Sequence, residues 1–149
     1  MLDRYSGRKI LGLLLRGTDY TSIKPKGHPV QPEPEEAIAK AREAMMTEGF
    51  DSVYLATEDK RILQKCMDAF GEKLLLPDCE YIDYDYDNPE LLHKYISNDK
   101  YRMGLDYIVS MAFLSRCPGF ITSITSGSTA VMCLSEGFEY LYVFDLGVY

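Results

Sequence analysis

The chain has 149 residues, of which 46% are hydrophobic and 26% charged, and its formal net charge is −7. This composition is typical of one soluble globular domain with a hydrophobic core. The negative charge argues against a general nucleic-acid-binding protein, which would present a basic surface. The apolar runs are too short to cross a membrane and no secretory leader is visible, so we expect a cytoplasmic protein with no membrane span.

Strand-like and helix-like segments alternate along the sequence. Short apolar runs predict strands at residues 9–15, 52–56, 73–76, 120–124 and 140–144. Apolar residues at helical spacing, with proline, glycine or capping residues at the ends, predict helices at residues 35–48, 59–70, 104–116 and 128–135. We therefore expect one Rossmann-like α/β domain over residues 1–149, with three α/β/α layers and a mostly parallel sheet.

The helix predicted at residues 104–116 is expected to be amphipathic. Its apolar spacing predicts an inward face made of Leu105, Ile108, Val109, Ala112 and Phe113. The preceding segment, residues 79–102, is aromatic and acidic and is harder to place. Its DYDYD stretch has the D-x-D spacing of some metal or sugar-nucleotide sites, but we favour a solvated acidic loop.

Polar clusters follow three of the predicted strands. They are Arg16-Gly17-Thr18-Asp19, Thr57-Glu58-Asp59 and Thr125-Ser126-Gly127-Ser128. Because ligands of open parallel sheets bind beyond the carboxyl ends of the strands, we expect the three clusters to converge on one rim. An arginine fork and the amides of a helix N-terminus both suit phosphate oxygens, so the clusters predict a site for a diphosphate.

Each cluster also has a purely structural interpretation. Arg16 could pair with Asp19 or Glu58 at the sheet edge, and the hydroxyl residues after the fourth strand could simply cap a helix. Thr57 could cap the second helix while Glu58 and Asp59 stabilise its dipole, and for this cluster we favour the structural interpretation.

Other site signatures are weak or missing. The connection over residues 17–34 is long for a βα loop and contains Lys24 and His28, which are candidates for an acceptor-side or phosphate-side role. The histidines, His28 and His93, indicate neither a zinc site nor a catalytic triad, and no metal site is predicted. Neither a Walker A nor a G-x-G-x-x-G motif is present. The cysteines form no C-x-x-C pair and are expected to be reduced; they are Cys66, Cys79, Cys117 and Cys133.

Three stretches together resemble the peptide motifs of a known family. LGLLLRGTDY, VYLATEDKRIL and FLSRCPGFITSITSGSTAVMCL are similar, in order and rough spacing, to the three motifs of the α1,6-, α1,2- and protein O-fucosyltransferase superfamily, above all the α1,6- and nodulation fucosyltransferases. The resemblance covers about residues 11–144. It implies the C-terminal Rossmann-like half of a GT-B glycosyltransferase, which binds GDP-fucose without a metal or other cofactor, and an N-terminal acceptor domain that this chain lacks.

The resemblance also implies roles for individual residues. Arg16 matches the catalytic arginine that contacts the GDP diphosphate, and Gly17 and Asp19 belong to the same motif. Asp106 takes the place of an acidic residue that touches the guanine, although the register would otherwise give Ser110. The second motif implies donor contacts from Thr57, Glu58 and Asp59, and the third implies contacts to the β-phosphate from Thr125, Ser126, Gly127 and Ser128.

The function implied by the resemblance is donor binding in a fucosyltransferase-like enzyme. A GDP-sugar, GDP-fucose in the relatives, would be used for metal-independent transfer to a glycan acceptor, as in the synthesis of bacterial polysaccharides. Two alternatives stay open: a non-catalytic nucleotide-binding or assembly module, and an Mg²⁺-dependent phosphotransfer domain that uses the acidic residues. The expected partners are the sugar donor, the acceptor and a second domain of the same enzyme.

Overall fold

The strands form one parallel sheet. The computed structural model describes residues 7–89 and 99–149. The sheet has the order β3-β2-β1-β4-β5, and every neighbouring pair is parallel. Its strands are β1 (Ile10–Leu14), β2 (Ser52–Ala56), β3 (Leu74–Leu75), β4 (Gly119–Ser123) and β5 (Tyr140–Phe144). The order reverses between β1 and β4, which is the topology of a doubly wound Rossmann-like sheet, so the predicted α/β fold is confirmed.

Helices cover both faces of this sheet. They are α1 (Asp19–Ser22), α2 (Pro34–Glu48), α3 (Lys60–Phe70), α4 (Lys100–Leu114) and α5 (Ser126–Leu134). One apolar cluster joins α2 and α3 to the sheet, and a second cluster joins α4 and α5 to the opposite face. The result is the expected three-layer arrangement. None of the helices in the described ranges is long and apolar enough to span a membrane.

Side chains along β1 alternate between the two faces of the sheet, and this alternation determines on which face Arg16 lies. Leu11, Leu13 and Leu15 belong to the cluster under α2 and α3, whereas Leu14 belongs to the cluster under α4 and α5. Because successive side chains point to opposite faces, Arg16 lies on the α4 side.

The predicted inward face of α4 is wrong except for Phe113. Leu105, Ile108 and Val109 are exposed by 47%, 64% and 40%, and Ala112 is also exposed. The buried residues of α4 are Ser110, Met111, Phe113 and Leu114. The error has a physical cause: α4 carries apolar residues around most of its circumference, so the helical period fits either face. The buried face is the one that approaches β1 at Gly12, where an added Cβ would lie 2.7 Å from Leu114 Cδ2.

Candidate functional site

A cavity of about 450 Å³ opens at the carboxyl edge of the sheet. It lies between the ends of β1 and β2, the segment of residues 77–82 and one side of α4. Arg16 and Glu58 line it from the strand ends, and Asp106 and Ser110 line it from α4. Ligands of doubly wound sheets bind at this edge, so the cavity is the candidate site.

Arg16 and Glu58 face each other because of the strand register. Leu14 pairs with Ala56, so two residues further along each strand Arg16 lies opposite Glu58. Arg16 Nε and Glu58 Oε1 are 3.5 Å apart, and the two side chains are 23% and 20% exposed. The structural interpretation of Arg16 as a partner of Glu58 is therefore realised. Arg16 Nε is nevertheless buried without a hydrogen-bond partner among the described residues, because the contact to Glu58 is an ion pair rather than a hydrogen bond.

The same Glu58 oxygen also binds the turn that follows Arg16. Gly17 N–H donates to Glu58 Oε1 at 3.1 Å, and the Thr18 hydroxyl has this oxygen at 3.3 Å and Asp19 Oδ1 at 3.2 Å as acceptors for its one proton. Thr18 is fully buried and has φ 55° and ψ −135°, a conformation that a β-branched residue rarely adopts. Such strain persists only where neighbouring contacts enforce it, and it is concentrated at functional sites.

Asp59 is a structural residue of this turn. Its Oδ1 caps α3 by accepting from the N–H groups of Arg61 and Ile62 at 2.7 and 3.3 Å. Its Oδ2 accepts from Thr18 N–H at 3.1 Å and from the Tyr86 hydroxyl. Thus Asp59, rather than Thr57, caps the helix, and its carboxylate joins that cap to the turn after β1. Neither Asp59 nor Gly17 is among the residues that line the cavity.

The tyrosines of the DYDYD segment do not line the cavity but support the turn and helix that follow β1. Tyr84 and Tyr86 turn inward, whereas Asp83 and Asp85 are exposed; Asp83 pairs with Lys60 at 2.7 Å. Burial, and then the hydrogen bond to Asp59, raises the pKa of Tyr86 to about 12. No cluster of three or more potential metal ligands occurs within residues 7–89 and 99–149. The exposure of Asp83 and Asp85 agrees with the interpretation of this segment as a solvated acidic loop. Sequence reasoning missed Tyr86, which the strict alternation of aromatic and acidic residues could have indicated.

The later part of the long loop after β1 is held by main-chain hydrogen bonds to the C-terminal residues. Val30 N–H donates to Gly147 O at 2.9 Å, and Tyr149 N–H donates to His28 O at 3.0 Å. The His28 ring lies 5.4 Å from the Tyr20 ring, whose centre is 5.6 Å from the guanidinium carbon of Arg16. Tyr20 therefore links the loop to Arg16 and is a second residue that the sequence interpretation missed.

The third polar cluster forms a helix cap next to the cavity. Ser128 N–H donates to Thr125 Oγ1 at 3.0 Å, and Thr125 N–H donates to Ser128 Oγ at 2.8 Å. This reciprocal capping box is the structural interpretation of the cluster. Tyr107 lines the cavity, and its hydroxyl occupies the space that a Cβ on Gly127 would need. Tyr107 thus lies between the cavity and the N-terminus of α5.

Asp106 and Ser110 form the polar side of α4 within the cavity. Asp106 Oδ2 is 3.8 Å from Arg102 Nε, and Ser110 Oγ accepts from the Tyr54 hydroxyl at 3.3 Å. The two residues are one helical turn apart, so both candidates for the base contact face the same space.

The structure thus brings together only part of the predicted site. Arg16, Thr57, Glu58 and Asp106 line the cavity. The other candidates do not line it: Gly17, Asp19, Lys24, His28, Asp59, Thr125, Ser126, Gly127 and Ser128. His93 lies outside the described residues. Comparison with protein-family models gives no matching family, and a search of curated proteins gives no match.

Proposed function

We propose that the chain binds a nucleoside diphosphate sugar in this cavity, as the donor-binding domain of a fucosyltransferase-like glycosyltransferase. The observation that carries the proposal is the place of Arg16: it follows β1, beside the point where the strand order reverses, and lines a cavity of about 450 Å³. Doubly wound sheets bind nucleotides beyond the carboxyl ends of their strands, beside such a reversal, and the cavity opens at this edge on the β2 side of β1. The ordered resemblance of the three motifs supports a GDP-sugar as the ligand and fucose as its sugar.

Arg16 is the proposed partner of the diphosphate. A planar guanidinium binds two phosphate oxygens at once, and Tyr20 and Glu58 already restrict where this one lies. As the sugar leaves, negative charge grows on the diphosphate, and Arg16 would stabilise it. Loss of such a donor from a preorganised site costs about 3 kcal/mol of transition-state stabilisation.

Asp106 is the proposed reader of the base. Guanine presents two adjacent N–H groups on one edge, which suit a single carboxylate, whereas uracil and adenine lack that pair of donors. Asp106 lines the cavity from α4, and its side chain is 27% exposed. Ser110 lies one turn further along α4 and adds a hydroxyl on the same side.

A nucleotide-binding module without transfer chemistry is the second candidate. The observation in its favour is that the two carboxylates that follow β2 are both engaged by the turn after β1. Glu58 accepts from Gly17 and Thr18, and Asp59 accepts from Thr18 and the start of α3. Neither is therefore available, as the structure stands, to take a proton from an acceptor hydroxyl.

Calorimetric titration of the chain with GDP, UDP and CMP tests the proposal. We expect GDP to bind most tightly and Arg16→Ala to weaken its binding by about 30-fold, since a charge-assisted hydrogen bond contributes about 2 kcal/mol. Arg116→Ala is the matched control, because Arg116 follows the end of α4 at the opposite edge of the sheet. Asp106→Asn should reduce the preference for GDP over UDP.

Four outcomes separate the alternatives. Binding of no nucleoside diphosphate, or binding that is indifferent to Arg16→Ala, would contradict the proposal. GDP binding without hydrolysis or transfer of GDP-fucose, even with an acceptor domain supplied, would favour the binding module. A strict requirement for Mg²⁺ would favour phosphotransfer instead.

A further inference from the structure

We infer that the Glu58 carboxylate occupies the anion position of this site, so that a diphosphate must displace it in order to reach Arg16. The inference rests on the proposed function, because it concerns how that site discriminates among anions. It makes Glu58 a residue that sets affinity, in contrast to its neighbour Asp59, which maintains the local fold.

Three different donors converge on one oxygen of Glu58. Arg16 Nε lies 3.5 Å from Oε1, Gly17 N–H donates to it at 3.1 Å, and the Thr18 hydroxyl, whose single proton also has Asp19 Oδ1 within 3.2 Å, lies 3.3 Å from it. A guanidinium, a main-chain N–H and a hydroxyl are the groups that bind phosphate oxygens in proteins. The donors that a phosphate would use are thus already assembled around a carboxylate.

The contacts of Glu58 are longer than those of a strongly held carboxylate. Charge-assisted hydrogen bonds are usually about 2.7 to 2.9 Å long, and each of the three contacts exceeds this range. By comparison, Asp59 accepts from Arg61 N–H at 2.7 Å. Glu58 also lines the cavity and keeps a fifth of its side chain exposed, so it has space into which it can move.

Displacement of Glu58 has a consequence for selectivity. While Glu58 is in place, its charge repels an incoming anion, and the donors of the turn are satisfied without a ligand. A ligand with one negative charge gains little by replacing a carboxylate, whereas a diphosphate supplies more charge and more acceptor oxygens. The site should therefore favour nucleoside diphosphates over singly charged anions.

The test compares Kd values for GDP and for inorganic pyrophosphate among the wild-type chain, Glu58→Gln and Glu136→Gln. Glu136 is the matched control because it is an exposed carboxylate that precedes β5, at the opposite edge of the sheet, and does not line the cavity. We expect Glu58→Gln to bind both ligands about tenfold more tightly, as removal of a nearby unit charge in a partly exposed site allows. Glu136→Gln should change either Kd by less than about twofold.

The outcomes distinguish the inference from the proposed function. If the wild type binds GDP through Arg16 but Glu58→Gln binds it equally or less tightly, the inference is overturned and the proposed function stands. If neither protein binds GDP or pyrophosphate, the proposed function fails and the inference fails with it. Thermal melting checks that Glu58→Gln is folded; should it not fold, Glu58→Ala is measured in its place, with the same expected tightening and the same contradicting result.

Discussion

Gly17 packs directly against Asp59. A Cβ built on Gly17 would lie 2.7 Å from Cγ of Asp59, so the turn after β1 and the cap of α3 meet without space for a side chain. Since Gly17 directly follows Arg16, this contact also fixes where the arginine leaves the sheet. The position of Arg16 therefore depends on a residue of the neighbouring strand connection.

Gly17→Ala should destabilise the chain by about 2 kcal/mol, because the buried carboxylate of Asp59 cannot move away without losing its hydrogen bonds. Urea denaturation followed by circular dichroism measures this change. Gly104→Ala is the control: a Cβ there has nothing within 4 Å, and alanine favours a helix over glycine. Equal stability of Gly17→Ala and the wild type would show that the turn is loose.

Asp59→Asn should cost about 3 kcal/mol of the free energy of unfolding. The amide replaces one carboxylate oxygen by an NH2 group, which either weakens the α3 cap or removes the acceptor of the Tyr86 hydroxyl, while Thr18 N–H keeps only the Tyr86 oxygen at 2.9 Å. Asp83→Asn alters an exposed aspartate that pairs with Lys60 and should change the stability by less than about 1 kcal/mol. A small, equal effect of the two substitutions would contradict the structural role of Asp59.

The fold could be predicted from the sequence because its signals are local. Alternating strand and helix patterns, with Gly49 and Gly71 at helix ends, indicate a parallel α/β sheet. The orientation of α4 could not be predicted, because both of its faces are apolar and only the fit of Leu114 over Gly12 selects one. Local patterns do not reveal such long-range packing.

The site shows the same division between local and long-range information. Because β1 and β2 are parallel, the sequence predicts that Arg16 and Glu58 lie at the same edge of the sheet, and the structure places them there. Two other features depend on contacts between residues that are distant in sequence. The Asp59 carboxylate is bound by the turn after β1, and Tyr107 lies between the cavity and Gly127. Residue type alone therefore could not separate the residues that line the cavity from those that support it.

Alkaline pH should destabilise the chain partly through Tyr86. Burial and the bond to Asp59 raise its folded-state pKa to about 12 from an ordinary value of 10.0. Between these values the unfolded chain loses the phenolic proton and the folded chain keeps it, so the free energy of unfolding falls as the pH rises. In urea denaturation, Tyr86→Phe should lose less stability between pH 8 and pH 11 than the wild type does. Tyr101→Phe, an exposed control, should follow the wild type, and parallel curves for all three proteins would contradict the prediction.

The four cysteines should differ strongly in reactivity. All are free thiols, as expected from the sequence. Burial raises the pKa of Cys66 and of Cys117 to about 12, so almost no thiolate forms at neutral pH, whereas Cys133 is exposed. Brief treatment with iodoacetamide at pH 8, read by mass spectrometry, should label Cys133 first and the two buried thiols only after unfolding. Labelling of Cys66 as fast as Cys133 in the folded chain would contradict the packing described here.

A crystal structure of the chain with GDP would show the proposed site itself. We expect diphosphate oxygens within hydrogen-bond distance of the Arg16 guanidinium, the guanine beside Asp106, and Glu58 turned away from Gly17 N–H. GDP bound at the N-terminus of α5 without contact to Arg16, with Glu58 still accepting from Gly17, would contradict this expectation.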